Sequence, residues 1–452
     1  MTISGRDPKV GVLGFVKIKF LNFNGFNGRS MKTLVIGSGA REHAMAWKLY
    51  MSEQVSSVHS FPGNISMRDM GPTHDGDICD FKKIQHICNV EHIDLLAIGP
   101  EVPLSGGIVD YFADSDIKVF GPSKASSQLE SSKAFAKDLL SVLGIPSPLH
   151  HTFQDFSAAK SWVESNSVPL VIKADGLAAG KGVFIADTKE EQLSAVYAIM
   201  SNRIFGESGD KIVIEEKIEG PEISVFVFCD GTDISDAVVA CDYKRIGDGD
   251  VGPNTGGMGS YSYPGIISEA QLSEIKEIIL RPVVEYMAEI GTPYSGVLYA
   301  GLMLTTSGPQ VLEFNCRFGD PEAQVILPRL ESDLGSVMYS CAAGKLSQAR
   351  VSWDDKASVG VVLASEGYPD AYKTGFPITG LDHSLSGTYV FCGGVKEGQE
   401  DSIITSGGRV LTVVGHADNV QEARDLSYAR SESINFINKF HRNDIGSFMR
   451  TA

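Results

Sequence analysis

From Met31 onward the apolar positions follow two rhythms in turn. Short runs at 32–36, 55–60, 93–98 and 118–120 stand between helical segments, the first of which opens at Ala40. The last two runs end in Gly99-Pro100 and Gly121-Pro122. Strand and helix in alternation predict a parallel α/β domain over 31–130, with ligand loops at the strand C-termini. Ser131 and Ser132 then cap a predicted helix through Leu143, which Gly144 and Pro146 stop. Strand patterns at 169–174, 183–186, 211–216, 222–229 and 237–242 follow with few helices between them. The clearest of those helices is 188–201, with Thr188 as N-cap and Glu190 and Glu191 in its first turn. This middle stretch reads as antiparallel α+β. A helix over 268–290 and strands at 296–304 and 309–314 lead to Gly344. A third module carries strands at 358–364, 388–392 and 409–415 and a helix at 418–434. The expected fold class is therefore α/β and α+β in several domains: 31–130, 131–345 with a flap subdomain at about 150–220, and 346–452. Residues 1–30 are read as an extension outside the fold.

Composition narrows the partners. The 452 residues carry 39 Lys+Arg against 56 Asp+Glu, a net charge of −17, which argues against a nucleic-acid or anionic-membrane partner. An anionic substrate needs a local basic pocket instead. The seven cysteines form no C-x-x-C pair, so a reduced, cytoplasmic chain is the simplest reading. The charge-free stretch 290–312 is long enough for a membrane span, but Pro293 and Pro309 favour two strands around a turn. Residues 1–30 carry Arg6, Lys9, Lys17, Lys19 and Arg29 against Asp7, and lysines interrupt their apolar run, so a secretory signal is not expected.

Of the 48 glycines, a cluster lies in loops where chemistry is expected, at 37–39, 176–182 and 247–259. Gly37-Ser38-Gly39-Ala40-Arg41-Glu42 follows the first strand and opens a helix, as a dinucleotide fingerprint does, but Glu42 stands where the third glycine belongs. It reads as a phosphate loop with Arg41 as donor, or as a tight turn without a ligand. His43, just beyond it, reads either as a site residue or as a helix-surface residue. The segment 173–183 places Lys173, Gly176, Gly180, Lys181 and Gly182 between two strands, one residue short of a P-loop and without its Ser/Thr. A glycine-rich strand-to-strand loop with a lysine reads as a flap over phosphates. Acids interrupt the strand end at Glu215, Glu216, Glu219 and Glu222, where ribose hydroxyls or plain solvation are both open. Lys244 and Arg245 precede the glycine-dense stretch 247–259, whose Asn254, Thr255 and Met258 argue for one specific conformation. His150 and His151 read as loop, and no H-E-x-x-H or G-x-S-x-G is present.

The sharpest chemistry lies at Glu313-Phe314-Asn315-Cys316-Arg317-Phe318-Gly319-Asp320-Pro321-Glu322. On a strand, Glu313, Asn315 and Arg317 share one face and Phe314 and Cys316 the other. A carboxylate and an amide oxygen suit Mg2+ with nucleotide phosphate oxygens, and the guanidinium suits a developing phosphoryl or acyl-phosphate charge.

Together these motifs resemble the ATP-grasp ligases, and more narrowly the phosphoribosylamine-glycine ligase family, over 31–446. The segments that carry the resemblance are 35–44, 172–183, 252–259 and 313–322. The resemblance implies a central ATP-grasp fold, a small C-terminal α+β domain, and ligation of glycine to 5-phosphoribosylamine through a glycyl phosphate. ATP and Mg2+ (or Mn2+) are implied, with a monomer or weak homo-oligomer acting on small molecules. It places Lys133, Lys173, Gly180 and Lys181 at the ATP phosphates, Glu215 to Ile218 at adenine and Glu222 at ribose. Glu313 and Asn315 take the metal, while Arg317, Lys181 and Asp320 act in catalysis. Gly39, Arg41, Glu42, Gly99, Pro100 and Glu101 form one wall of the substrate pocket, and Asn254, Thr255, Gly256, Gly257 and Met258 the other. ATP-grasp enzymes often carry another metal-binding acid on the strand before this motif, and 297–304 offers none, so the number of metal ions stays open. A sister ATP-grasp ligase, an inactive nucleotide-binding module and an NAD enzyme resting on the first glycine loop are the competing readings.

Overall fold

The structure, a computed structural model, describes residues 30–178 and 182–447. The N-terminal sheet is parallel, with strands β1 (Met31–Gly37), β2 (Val55–Pro62), β3 (Leu95–Ile98) and β4 (Lys118–Phe120) in the order β2-β1-β3-β4. The chain leaves β1 to build β2 on one side and then crosses to build β3 on the other. The loops after β1 and β3 therefore diverge at a topological switch point, where a crevice opens at the strand C-termini.

A second, antiparallel sheet joins β5 (His150–Phe153), β6 (Leu170–Ala174), β7 (Val183–Ala186) and β8 (Ile212–Glu216) in the order β5-β8-β6-β7. His150 and His151 thus lie in an edge strand, with His150 opposite Glu215, rather than in the expected loop. Their weak local preference is overridden by pairing with a strand about 60 residues away, a tertiary effect that no local pattern carries. The expected helix at 188 forms: Thr188 Oγ1 accepts from Glu191 N at 3.2 Å and Glu191 Oε2 from Thr188 N at 3.0 Å. It runs as Lys189–Val196 and ends in a π turn, Tyr197–Ser201.

The long sheet holds β9 (Glu222–Asp230), β10 (Val238–Asp242), a hairpin of β11 (Arg245–Gly247) and β12 (Val251–Asn254) beside it, then β13 (Gly259–Ser262), β14 (Ser295–Thr305) and β15 (Gly308–Asn315). It continues with β16 (Ala357–Ser365), β17 (Thr388–Cys392) and, past the hairpin β18 (Val395–Glu397) and β19 (Ile403–Thr405), β20 (Arg409–Ala417). Its order is β15-β14-β9-β10-β13-β16-β20-β17, with β21 (Lys439–Phe440) paired to β16. The third module is therefore not a separate sheet. β13 pairs with β10 through Cys241 and Tyr261 and with β16 through Gly259 and Val361, so one sheet crosses the middle and C-terminal regions.

β9 is buried on both faces, and its alternation divides the core. Ile223, Val225, Val227 and Cys229 join one hydrophobic cluster, while Phe226 and Phe228 join another that includes Val35, Leu95, Trp47 and Phe120 of the N-terminal part. The helix predicted over 268–290 is Glu269–Ile275 and Arg281–Glu289 joined by a π turn at Lys276–Leu280. The irregular turn precedes Pro282, which has no N–H for the helical ladder. Among the described residues no helix is long and apolar enough to cross a membrane, and 290–312 folds largely into β14 and β15.

Candidate active site

The loops after β1 and β3 are knit together by Glu42. Its Oε2 accepts from Gly39 N at 2.7 Å, and its Oε1 accepts from Arg41 Nε at 2.6 Å. A Cβ on Gly99 would lie 2.2 Å from that same carboxylate, which is why bare backbone is needed there. Arg41 also donates to Phe318 O at 3.2 Å, so its buried guanidinium ties the first loop to the segment after β15. Glu42 and Arg41 thus spend their polar groups on the scaffold, and the missing third glycine has a structural reason. His43 is neither exposed nor in an open site. It is fully buried, its Nδ1 accepts from Cys392 N at 2.8 Å, and burial pushes its pKa down to about 4.

β15 carries the expected alternation, with Phe314 and Cys316 buried and Glu313 and Asn315 on the other face. The strand ends at Asn315, and Arg317 lies just beyond it. Its guanidinium meets Glu130 at 2.8 Å and Glu101 at 3.3 Å. Burial pushes the Glu130 carboxyl up, with Arg317 opposing. At Glu101 burial also acts upward, but Arg317 and Arg41 outweigh it and hold the carboxyl below its ordinary range. Glu313 behaves likewise: burial acts upward, while Lys244, Lys173, Lys133 and Arg317 together keep it ionised. An ionised carboxylate beside an amide oxygen is a hard-donor pair that fits a divalent cation such as Mg2+.

The expected phosphate lysines flank this strand. Lys173 Nζ donates to Leu312 O at 3.1 Å and pairs with Glu215 at 2.8 Å. Lys133 Nζ donates to Gly176 O at 3.2 Å at the root of the flap. Glu215 is buried between Lys173 and Lys137, the latter at 3.2 Å, so its carboxylate serves the lysine cluster rather than facing an open adenine pocket. Lys137 was not singled out from sequence. It lies four residues after Lys133 on the same helical face, a spacing that could have revealed it. Burial lowers its pKa to about 8, with Glu215 opposing. Asp175 anchors the flap root by accepting from Ala134 N at 2.7 Å. Glu222 is ion-paired with Lys244. Gly180 and Lys181 lie outside the described residues.

The glycine-dense loop has the defined conformation expected of it: Thr255 N donates to Lys244 O at 2.7 Å and Gly257 N to Thr255 Oγ1 at 3.0 Å. Asn254 is exposed, but Met258 is fully buried, so its side chain is part of the core and not of a pocket wall. Apolar character at that position outweighs its place in a polar loop.

A cavity of about 200 Å³ opens among Gly39, Ala40, Asp320, Gly393, Gly394 and Arg409. Arg409 donates to Asp320 O at 2.8 Å and to Gly256 O, and meets the Asp320 carboxylate at 3.2 Å. It joins the glycine loop to the turn after β15. Gly393, Gly394 and Arg409 lie in the C-terminal module, and the sequence reading assigned no site residue there. Asp242 was also missed. Its Oδ1 is buried without a hydrogen-bond partner, and burial together with the neighbouring Glu322 pushes its pKa well above the carboxylate range. Glu322 Oε1 accepts from Tyr299 at 2.8 Å and Ser224 at 3.1 Å.

Comparison with known proteins places this geometry. Sequence profiles described as Phosphoribosylglycinamide synthetase match in three consecutive segments: the N domain over 31–130, the ATP-grasp (A) domain over 131–323 and the C domain over 358–448. The chain is 44% identical over 417 residues to a phosphoribosylamine–glycine ligase of Halalkalibacterium halodurans, covering 92% of this chain and 97% of that one. The chain belongs to the phosphoribosylglycinamide synthetase family. Another relative, the trifunctional purine biosynthetic protein adenosine-3 of Gallus gallus, is 46% identical over 92% of this chain, which spans 42% of that protein. A crystal structure of the phosphoribosylamine–glycine ligase of Thermotoga maritima superposes with a TM-score of 0.78 at 33% identity, covering 92% of this chain and 100% of that one. A biotin carboxylase of Campylobacter jejuni shares the fold, with a TM-score of 0.70 at 15% identity over 92% of this chain and 94% of that one. Within the synthetase family's frame, the cavity draws on all three segments: Gly39 from the N domain, Asp320 from the ATP-grasp domain and Arg409 from the C domain.

Proposed function

We propose that the chain is a phosphoribosylamine-glycine ligase, which joins glycine to 5-phosphoribosylamine at the expense of ATP. The observation that carries this reading is the ionised Glu313 beside Asn315, ringed by Lys133, Lys173, Lys244 and Arg317 next to a cavity built from three segments. In the reaction a glycine carboxylate oxygen attacks the γ-phosphorus and ADP leaves. The amine nitrogen of phosphoribosylamine then attacks the glycyl carbonyl, inorganic phosphate leaves, and the amine gives up a proton. No covalent enzyme intermediate is needed, consistent with the absence of nucleophile motifs.

Each cluster has a part in that sequence. Glu313 and Asn315 would hold Mg2+ or Mn2+, which when bound neutralises charge on the transferring phosphate. Lys133 and Lys173 face the ATP phosphates, and Gly180 and Lys181 are assigned to the same ligand. Arg317 steadies the charge that develops on the acyl phosphate, since its guanidinium is held ready by Glu101 and Glu130 rather than ordered at the moment of reaction. The cavity at Gly39, Gly393, Gly394 and Arg409 takes the phosphoribosyl group, with bare backbone amides and a guanidinium as donors. Asp242 and Glu322 face the glycine loop with buried carboxyls, and a bound glycine ammonium would offset the burial and mutual repulsion that push the Asp242 pKa up, so this pair takes the ammonium. Excluding water matters because acyl phosphates hydrolyse readily. Seven free cysteines, six of them buried, fit a reducing compartment.

The test is ADP release with ATP, Mg2+, glycine and freshly prepared phosphoribosylamine, each omitted in turn. Turnover that requires all four supports the assignment. Full turnover without glycine, or with another carboxylate only, overturns it in favour of a sister ligase.

A further inference from the structure

Away from the ATP and substrate machinery, two histidines and an acid converge on the edge of the N-terminal sheet. β2 is the outer strand, and His59, a residue 3% exposed, stands opposite Leu34 of β1. After Pro62 the chain turns back alongside β2. Ser60 N donates to Pro72 O at 3.0 Å, His74 N donates to Ser60 O at 2.9 Å, and Ser60 and Thr73 form a parallel bridge. That backbone pairing fixes His74 beside His59. The two rings lie within 7° of parallel, and His59 Nδ1 and His74 Nε2 are 3.1 Å apart. The helix Phe81–Glu91 ends at the same place, so that ligand atoms of His59, His74 and Glu91 all lie within 4.8 Å of one another. The Glu91 carboxylate makes no hydrogen bond or ion pair among the described residues, so it adds a third donor with nothing else to hold.

We propose that His59, His74 and Glu91 form a second cation site, for Zn2+ or another borderline transition-metal ion, that clamps the β2 edge. The donor set is the first reason. Imidazole nitrogens select zinc, copper or nickel over magnesium, so this site and the oxygen pair Glu313–Asn315 would take different ions. Spacing is the second. Two imidazole nitrogens on one tetrahedral zinc, each at about 2.0–2.1 Å, sit about 3.3 Å apart. The observed 3.1 Å is close to that separation. With ring centroids 5.4 Å apart and planes nearly parallel, the two nitrogens face each other edge to edge and share one proton. Metal entry asks each ring to turn so that both lone pairs meet at one point. The shared proton moves to the far nitrogen of its own ring, both imidazoles stay neutral, and water completes the coordination. Lys32, whose ammonium donates to Glu91 O at 2.9 Å, is a nearby positive charge that works against the cation. The three ligands come from a strand, a returning loop and a helix end, so a bound ion would tie these elements together without touching the reaction.

The experiment uses the full chain, stripped with chelator and titrated with Co2+ alone, without nucleotide. The expected result is one equivalent of cobalt with a visible d–d band, displaced by Zn2+, and a higher unfolding temperature with Zn2+ bound. His74→Ala, at a half-buried loop position that leaves the core intact, should lose the band while keeping wild-type circular dichroism. Glu313→Gln and Cys79→Ser should keep it. A wild-type chain that takes up no cobalt, a band that survives His74→Ala, or a band lost with Glu313→Gln or Cys79→Ser each overturns the assignment.

Discussion

Replacing Arg317 by Ala separates holding the site from acting in it. The side chain is 17% exposed and bridges Glu130, 9% exposed, and Glu101, 23% exposed. Removing one partner of a buried ion pair costs about 3–5 kcal/mol, because the other charge is left unpaired. Here the loss is smaller. Burial already pushes the Glu130 carboxyl up and Arg317 opposes that, so without Arg317 the protonated form is favoured further and relieves part of the unpaired charge, while Glu101 retains some access to water. A stability loss of about 2–3 kcal/mol follows. The catalytic loss is a separate quantity: removing a preorganised donor at a developing charge costs about 10²–10³ in kcat, or about 3–4 kcal/mol of barrier. The two are read on one preparation, with urea unfolding for stability and glycine-dependent ADP release, well below the unfolding transition, for kcat. Arg317→Lys keeps the charge but not the fork that reaches both acids, so it should fall between wild type and Arg317→Ala in both assays. The reasoning is refuted if Arg317→Ala turns over within about threefold of wild type while its urea midpoint falls, since that pattern makes Arg317 a strut for Glu101 and Glu130 alone.

Three further outcomes are expected. Glu313→Ala should abolish ADP release and remove the response of nucleotide binding to added Mg2+ while the circular dichroism spectrum persists; an active variant sinks the metal assignment. Asp242→Asn should raise the KM for glycine about tenfold or more with little change in the KM for ATP, as an interaction of about 1.4 kcal/mol or more with the ammonium is lost; an unchanged glycine KM places the ammonium elsewhere. Because the folded pKa of His43 is about 4 against an ordinary 6.5, the unfolded chain binds the extra proton between these values, so stability present above pH 6.5 is lost as pH falls toward 4. The contribution is about 3 kcal/mol at most, and His43→Gln, whose amide oxygen can still accept from Cys392 N, should flatten that part of the urea-midpoint profile relative to wild type.

The frame of the protein was legible because periodicity reports which face of an element is buried. The parallel strands at the N-terminus, the Thr188 cap and the Glu313–Phe314–Asn315–Cys316 alternation all follow from local pattern. Periodicity says nothing about which element stands opposite, and the differences lie there. β5 forms because β8 lies beside it, and β13 because β10 and β16 flank it. Arg409 reaches Asp320 from a strand 89 residues further along, so no local motif marks it as part of the cavity. Lys137 left a trace, one helical turn from Lys133, but its meaning depends on Glu215 lying across from both Lys137 and Lys173. Met258 differs in the opposite sense: membership in a glycine-rich motif assigns it to the pocket wall, while its apolar side chain lies in the core.

The four residues of β13 also decide how this chain can be cut. Ending it after residue 345 removes β16, β20 and β17, and strips Gly259, Ser260, Tyr261 and Ser262 of every partner on one side. What remains is a buried strand turned into an open edge, with its N–H and C=O groups free and apolar surface uncovered around it. Such an edge is a template for a second chain, so a shortened version is expected to aggregate rather than persist as a two-domain nucleotide binder.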